Sequence, residues 1–169
     1  YNYTMKKLYL IRHSKSSWDD PILDDFDRPL NSRGKKDRYL MANFLKERGI
    51  YPDLVLCSPS VRTKKSLKAY QEILDIKDKN IVFDEDLYES SAKKLLDVLH
   101  TTNNTYDNVF LISHNPSLNE LADYLLNGFE ENIPTSGIVG IDVNIADWSM
   151  LDNTNCSLYL FTYPKQING

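Results

Sequence analysis

The chain has 169 residues and a mass of 19.6 kDa, enough for one domain or two at most, and a chain of that length buries about 70% of its extended surface without cross-links. Hydrophobic residues make up 41% and charged residues 26%, which is globular usage and excludes a disordered or fibrous chain. With 20 Lys and Arg against 24 Asp and Glu the net charge is −4; bulk nucleic-acid binding, which needs a Lys/Arg footprint, is excluded, and any bound anion must meet a local concentration of positive charge.

Cys57 and Cys156 form no CxxC pair, which points away from a disulfide framework or thiolate zinc site and towards a reducing, cytoplasmic setting. There is no run of about 18 apolar residues to span a membrane. The apolar stretch behind Lys6-Lys7 ends at Arg12, too soon for a signal-peptide core. Met5 is a candidate start, with residues 1–4 a cloning remnant and residues 5–165 one domain.

In chain order, short apolar runs alternate with amphipathic segments, the pattern of an α/β domain. Leu8–Ile11 reads as a buried strand stopped by Arg12-His13, and a polar loop follows from Ser14 to about Asn31. Asn31 or Ser32 caps a helix with Leu40, Met41, Phe44 and Leu45 on one face, ended by Gly49. Leu54–Cys57 is the second strand. Ser58-Pro59-Ser60 opens a helix with Pro expected in the first turn, where its missing N–H costs nothing. Ile81–Phe83 is a third strand, Ser90 or Ser91 begins a helix carrying Leu95, Leu96 and Leu99, and Val109–Ile112 is a fourth strand broken at Ser113-His114-Asn115. Pro116 starts a helix closed by Gly128, and Ile138–Ile145 and Ser157–Tyr163 are the last strands. The expectation is a single three-layer α/β domain: about six strands, mostly parallel because helical crossovers join them, with helices on both faces.

Three strands deliver a cationic or potentially cationic group at their carboxyl ends: Arg12 and His13 from the first, Arg62 through the Ser58-Pro59-x-x-Arg62 turn after the second, and His114 from the fourth. Ligands of open α/β sheets bind outside those ends, at a switch in strand order. Two Arg and two His gathered beside helix N-termini make a pocket for a small, multiply charged anion, with phosphate the obvious candidate. His100, near the end of a predicted helix, has no second feature pointing to chemistry and reads as a helix-end cation.

Leu10-Ile11-Arg12-His13-Ser14, Arg28-Pro29-Leu30-Asn31-Ser32-Arg33-Gly34, Cys57-Ser58-Pro59-Ser60-Val61-Arg62-Thr63 and Ile112-Ser113-His114-Asn115 together resemble the histidine phosphatase superfamily, in particular its short phosphohistidine phosphatases of the SixA type. The resemblance implies a phosphoglycerate-mutase-like fold with His13 as nucleophile, a covalent phosphohistidine intermediate, and Arg12, Arg62 and His114 holding the phosphoryl oxygens. Such a clamp suffices without a metal or cofactor, because phosphoryl transfer rests on positioning and charge stabilisation. Ser14 stands where the wider superfamily usually has Gly, and offers a hydroxyl to the phosphate. Arg28 is read as a partner of nearby aspartates first and a phosphate-site support second.

The proton donor is open. Glu89 follows the third strand where related phosphatases keep an acid, but reads equally as a solvated Glu; Asp19, Asp20, Asp24, Asp25 and Asp27 are alternatives within a charge run. Lys15 reads as an exposed loop lysine. Short connections leave no room for a long lid, so the expected site is shallow and suited to a phosphate displayed on a protein; a small phosphate ester is the alternative substrate, and a non-catalytic phosphoprotein-binding module the alternative of another class. Two rival chemistries are weak. Asp84-Glu85-Asp86 mimics a magnesium-dependent aspartyl phosphatase, and Cys57 to Arg62 falls one residue short of a cysteine-phosphatase loop.

Overall fold

The structure is a computed structural model and describes residues 5–168; the reading of residues 1–4 as a remnant lies outside them. Six strands form one sheet in the order β3-β2-β4-β1-β5-β6. They are β1 (Lys6–Arg12), β2 (Leu54–Cys57), β3 (Ile81–Phe83), β4 (Asn108–Ser113), β5 (Ile138–Val143) and β6 (Cys156–Thr162). β1, β2, β3 and β4 run parallel; β5 and β6 extend the sheet antiparallel. The helices are α1 (Ser32–Glu47), α2 (Val61–Leu74), α3 (Ala92–His100), α4 (Ser117–Leu125) and the short α5 (Pro164–Asn168).

Strand alternation sorts the core into two layers. Leu8, Leu10, Leu54, Leu56, Val109 and Leu111 face α3, α4 and the buried Trp148. Tyr9, Ile11, Val55, Cys57, Phe110 and Ile112 face α1 and α2. With both faces covered, the central strands read as continuous apolar runs. The strand starts earlier than its apolar residues indicate: Lys6 is buried in β1, its ammonium donating to Asp107 (2.9 Å) and the Asn104 carbonyl (2.9 Å). No helix among the described residues is long and apolar enough to cross a membrane.

The helix starts that frame the site are set by side-chain caps. Asn31 accepts from the Gly34 N–H at 2.8 Å at the head of α1, and Ser91 from the Lys94 N–H at 3.2 Å at the head of α3. Ser60, not Ser58, caps α2 by accepting from the Thr63 N–H. Pro59 therefore precedes the cap instead of sitting in the first turn, and Ser58 is released for another use.

Candidate active site

Arg12 pairs with Ser113 across β1 and β4, so His13 and His114 leave neighbouring strands at the same level. The connection after β1 crosses to the α1 face and the one after β4 to the α4 face, which opens a crevice between these two strand ends. The backbone of His13 is fixed on both sides: its N–H donates to the Ser113 carbonyl (3.2 Å) and its carbonyl accepts from the Ser136 N–H (2.9 Å). The two imidazole rings lie 5.3 Å apart, centroid to centroid. Arg62, in the first turn of α2, reaches both: Nε donates to His13 Nε2 at 3.4 Å and Nη2 to His114 Nδ1 at 3.2 Å.

These contacts assign the tautomers. A guanidinium only donates, so His13 Nε2 and His114 Nδ1 carry lone pairs. The ring protons then sit on His13 Nδ1, which donates to the Ser14 carbonyl at 2.7 Å, and on His114 Nε2, which donates to the Ser58 hydroxyl at 2.8 Å. Both rings are neutral. Burial pushes His13 down to about 4, aided by Arg62, Arg12 and Arg28 and opposed by the Ser14 hydrogen bond. Burial, then Arg62 and His13, push His114 down to about 3.

Arg12 donates through Nη1 to the Ile133 carbonyl at 2.9 Å. Its Nε is buried without a hydrogen-bond partner, a costly state that an anion in the crevice would relieve. Burial and the neighbouring Arg62 both press its guanidinium towards the neutral form. Arg12, His13, Arg62 and His114, together with Lys15, Trp18, Asp25, Arg28 and Asn115, line an open cleft of about 380 Å³. The structure thus brings together the four residues that the strand ends single out.

Other candidates fall elsewhere. Ser14 is buried, and its hydroxyl accepts from Ser136 Oγ at 2.6 Å while its N–H donates to Ser66 Oγ at 2.8 Å. Its carbonyl, holding His13 Nδ1, does more for the site than the hydroxyl expected to touch phosphate. Glu89 is exposed, in the left-handed region (φ 47°), and is not among the cleft-lining residues. Cys57 is buried against α1 and α2, where burial pushes its thiol well above the ordinary range. Asp84 caps a turn by accepting from the Asp86 N–H at 2.9 Å, away from the arginines. His100 bonds the Leu151 carbonyl at 2.8 Å.

Arg28 pairs with an aspartate as expected and stands at the cleft. It donates to Asp25 (3.0 Å), to the Ser17 carbonyl (3.1 Å) and to Ser16 Oγ, and it also lines the cleft. Asp25 holds the centre of this network: its carboxylate accepts from Arg28, from Arg62 Nη2 (2.9 Å) and from the Tyr88 hydroxyl (2.8 Å). Burial raises its carboxyl, but the hydrogen bonds from Tyr88 and Arg62 and the Arg62 charge outweigh that and bring it down to about 2. Tyr88 in turn packs edge-on against His114, 5.4 Å between centroids. The sequence names Asp25 only as one of five candidate acids in a charge run, and nothing in it points to Tyr88, which sits beside the more conspicuous Glu89.

The model of the histidine phosphatase superfamily (branch 1) matches residues 8–97, just over half the chain. A protein of Mycobacterium tuberculosis is 27% identical over 165 residues, covering 92% of this chain and 100% of its own. A chloroplastic protein of Arabidopsis thaliana is 39% identical over 88 residues, 52% of this chain but 40% of its own length, so the chain spans well under half of that relative. Among solved structures, a candidate phosphohistidine phosphatase SixA from Agrobacterium tumefaciens superposes with a TM-score of 0.80 at 26% identity, covering 94% of this chain and 98% of its own. The protein histidine phosphatase SixA complexed with tungstate has the same fold, with a TM-score of 0.81 at 24% identity over 95% and 99% of the two chains.

Proposed function

The chain belongs to the histidine phosphatase superfamily, and on that premise we propose that it is a metal-independent phosphatase that takes the phosphoryl group from phosphohistidine in a protein, through a phosphohistidine on His13. The observation that carries this reading is the fixed tautomer of His13: Nδ1 is tied to the Ser14 carbonyl, which leaves the Nε2 lone pair beside the Arg62 guanidinium. Nucleophilic attack needs that unprotonated nitrogen, and burial among arginines maintains it.

In the proposed reaction, His13 Nε2 forms a bond to phosphorus as the bond from phosphorus to the substrate nitrogen breaks. The leaving imidazole departs neutral once its second nitrogen is protonated, so little help is asked of an acid such as Glu89. Arg12 and Arg62 hold the equatorial oxygens as fixed donors that act on the charge developing in the transition state, and His114, whose Nδ1 carries a lone pair in the free protein, joins them as a donor once the arriving anion favours its protonation. The unpaired Arg12 Nε is a donor with no competing partner. A water molecule then attacks phosphorus, the bond to His13 breaks, and inorganic phosphate leaves. Tungstate, present in the SixA relative, is a tetrahedral oxyanion of the kind this cluster would take. A cleft of about 380 Å³, open to solvent, suits a phosphoryl group on a protein surface.

The test is turnover of a radiolabelled phosphohistidine protein beside a panel of sugar and nucleotide phosphates. The expected result is preference for the phosphohistidine protein, unchanged by chelators, with an acid-labile, base-stable phosphoenzyme that is absent from His13→Ala. Preference for the small esters would assign a metabolite phosphatase instead, and label retained in His13→Ala would overturn the nucleophile.

A further inference from the structure

The loop between β1 and α1 carries four large apolar side chains in contact with solvent: Trp18 (76% exposed), Ile22 (90%), Leu23 and Phe26. Clustered exposed apolar groups mark interaction sites on otherwise polar surfaces. The loop reaches the cleft, because Trp18 also lines it. The loop is built rather than loose. Trp18 is stacked on the Arg28 guanidinium, 3.1 Å from Cζ to the ring centroid, and Arg28 is held by Asp25 and the Ser17 carbonyl. Phe26 packs edge-on against Tyr88 at 5.1 Å, and Tyr88 touches His114. The same loop carries the exposed carboxylates of Asp19, Asp20 and Asp27.

We propose that this loop docks the protein that carries the phosphoryl group, and that the docked surface is apolar at its centre and ringed by Lys and Arg. The proposal rests on the phosphohistidine reading above and names what that substrate presents beside its phosphate. Trp18 belongs to both patch and cleft, so whatever covers the patch also faces the site. The carboxylates choose the partner by complementarity. They repel a second copy of the same acidic loop, anionic lipid and nucleic acid.

The probes are two synthetic peptides phosphorylated on one histidine, flanked by Leu and Lys in one and by Glu and Ser in the other, with free phosphohistidine as the small substrate. The expected wild-type preference is about tenfold in kcat/KM for the Leu/Lys peptide, the scale of one good interface anchor. Ile22→Asp abolishes it, and Asp19→Lys with Asp27→Lys reverses it, while turnover of free phosphohistidine is unchanged in both; these residues are exposed, and unaltered melting temperatures verify folding. Equal turnover of the two peptides, preference for the Glu peptide, or a wild-type preference that survives both variants overturns the docking surface alone. A dimer in light scattering that Ile22→Asp dissociates assigns the patch to a second copy and overturns it too. No turnover of any phosphohistidine, free or in a peptide, overturns the phosphohistidine reading and the docking surface with it.

Discussion

On the proposed mechanism two opposed demands meet at His13, since the imidazole must stay unprotonated to attack, yet it stands where an anion would be held, which favours protonation. Burial and three arginines settle the balance in the free protein, taking the ring down to about 4, against an ordinary value of about 6.5. Arg62 is the largest cationic contributor, and it also belongs to the proposed clamp. Arg62→Ala should therefore act twice. Removing one oriented donor lowers kcat by roughly 10²–10³-fold, and removing the neighbouring charge lets His13 titrate at higher pH. The measurement is single-turnover kinetics beside an NMR titration of the His13 ring. An Arg62→Ala protein whose His13 titrates as in the wild type would show that Arg62 does not set the nucleophile's protonation. Asp25 explains how so many cations coexist: its carboxylate joins Arg28 and Arg62 and is itself held by Tyr88.

Between elements, the cleft depends on how closely α1 approaches the loop after His13. A Cβ added at Gly34 would stand 2.1 Å from the Lys15 carbonyl oxygen and 2.9 Å from its nitrogen. That carbonyl is already engaged, accepting from the Asn31 N–H at 3.0 Å, so neither partner can yield without moving Lys15, which lines the cleft. Gly34→Ala should cost about 1–3 kcal/mol as an overpacked contact, or roughly 2–12 °C in Tm for a chain of this size, and should lower kcat/KM as well. Gly49→Ala is the control. Gly49 has φ +68° with nothing within 4 Å, so its substitution strains the backbone and lowers Tm while kcat/KM stays at the wild-type value. The same contact shows why some of the site is legible and some is not. Arg12, His13 and His114 stand out because charge follows an apolar run directly, and the sheet register carries them together. Arg62 stands out because a cap and a helical turn have fixed reach. Asp25 and Tyr88 depend on the path of an irregular loop across the strand ends, which no periodicity encodes. The expectation of Pro59 in the first turn of α2 fails for a local reason: Ser58 and Ser60 are both competent caps, and only the Thr63 N–H and the demand of His114 for a partner separate them.

Over the whole molecule, the buried imidazoles tie stability to pH. His13 and His114 are held at about 4 and about 3 in the folded chain, while unfolded they return to about 6.5. Between those values the unfolded chain binds more protons, so stability rises with pH through the window and is lost as pH falls from about 6.5 towards the folded values. The Asp25 carboxyl, lowered to about 2, acts in a more acid window: its contribution is present above its ordinary value near 4 and is lost as pH falls through about 2. The two effects can be separated by substitution. Calorimetry across pH 4 to 8 should show a Tm that is flat above neutrality and falls below about 6.5 in the wild type. In His13→Gln with His114→Gln the fall between about 6.5 and 4 should be much shallower, because the groups that take up protons on unfolding are gone. A bound oxyanion opposes the same loss from the folded side. Tungstate at about 100 times its dissociation constant adds about 2.7 kcal/mol, a rise of roughly 5–11 °C at this chain length. A negative charge beside both rings also makes each easier to protonate in the complex than in the free protein. Anion binding therefore takes up protons, and the Tm gained from tungstate should be larger near pH 6 than near pH 8. A gain that is independent of pH, or equally large in the double variant, would place the bound anion away from these two imidazoles.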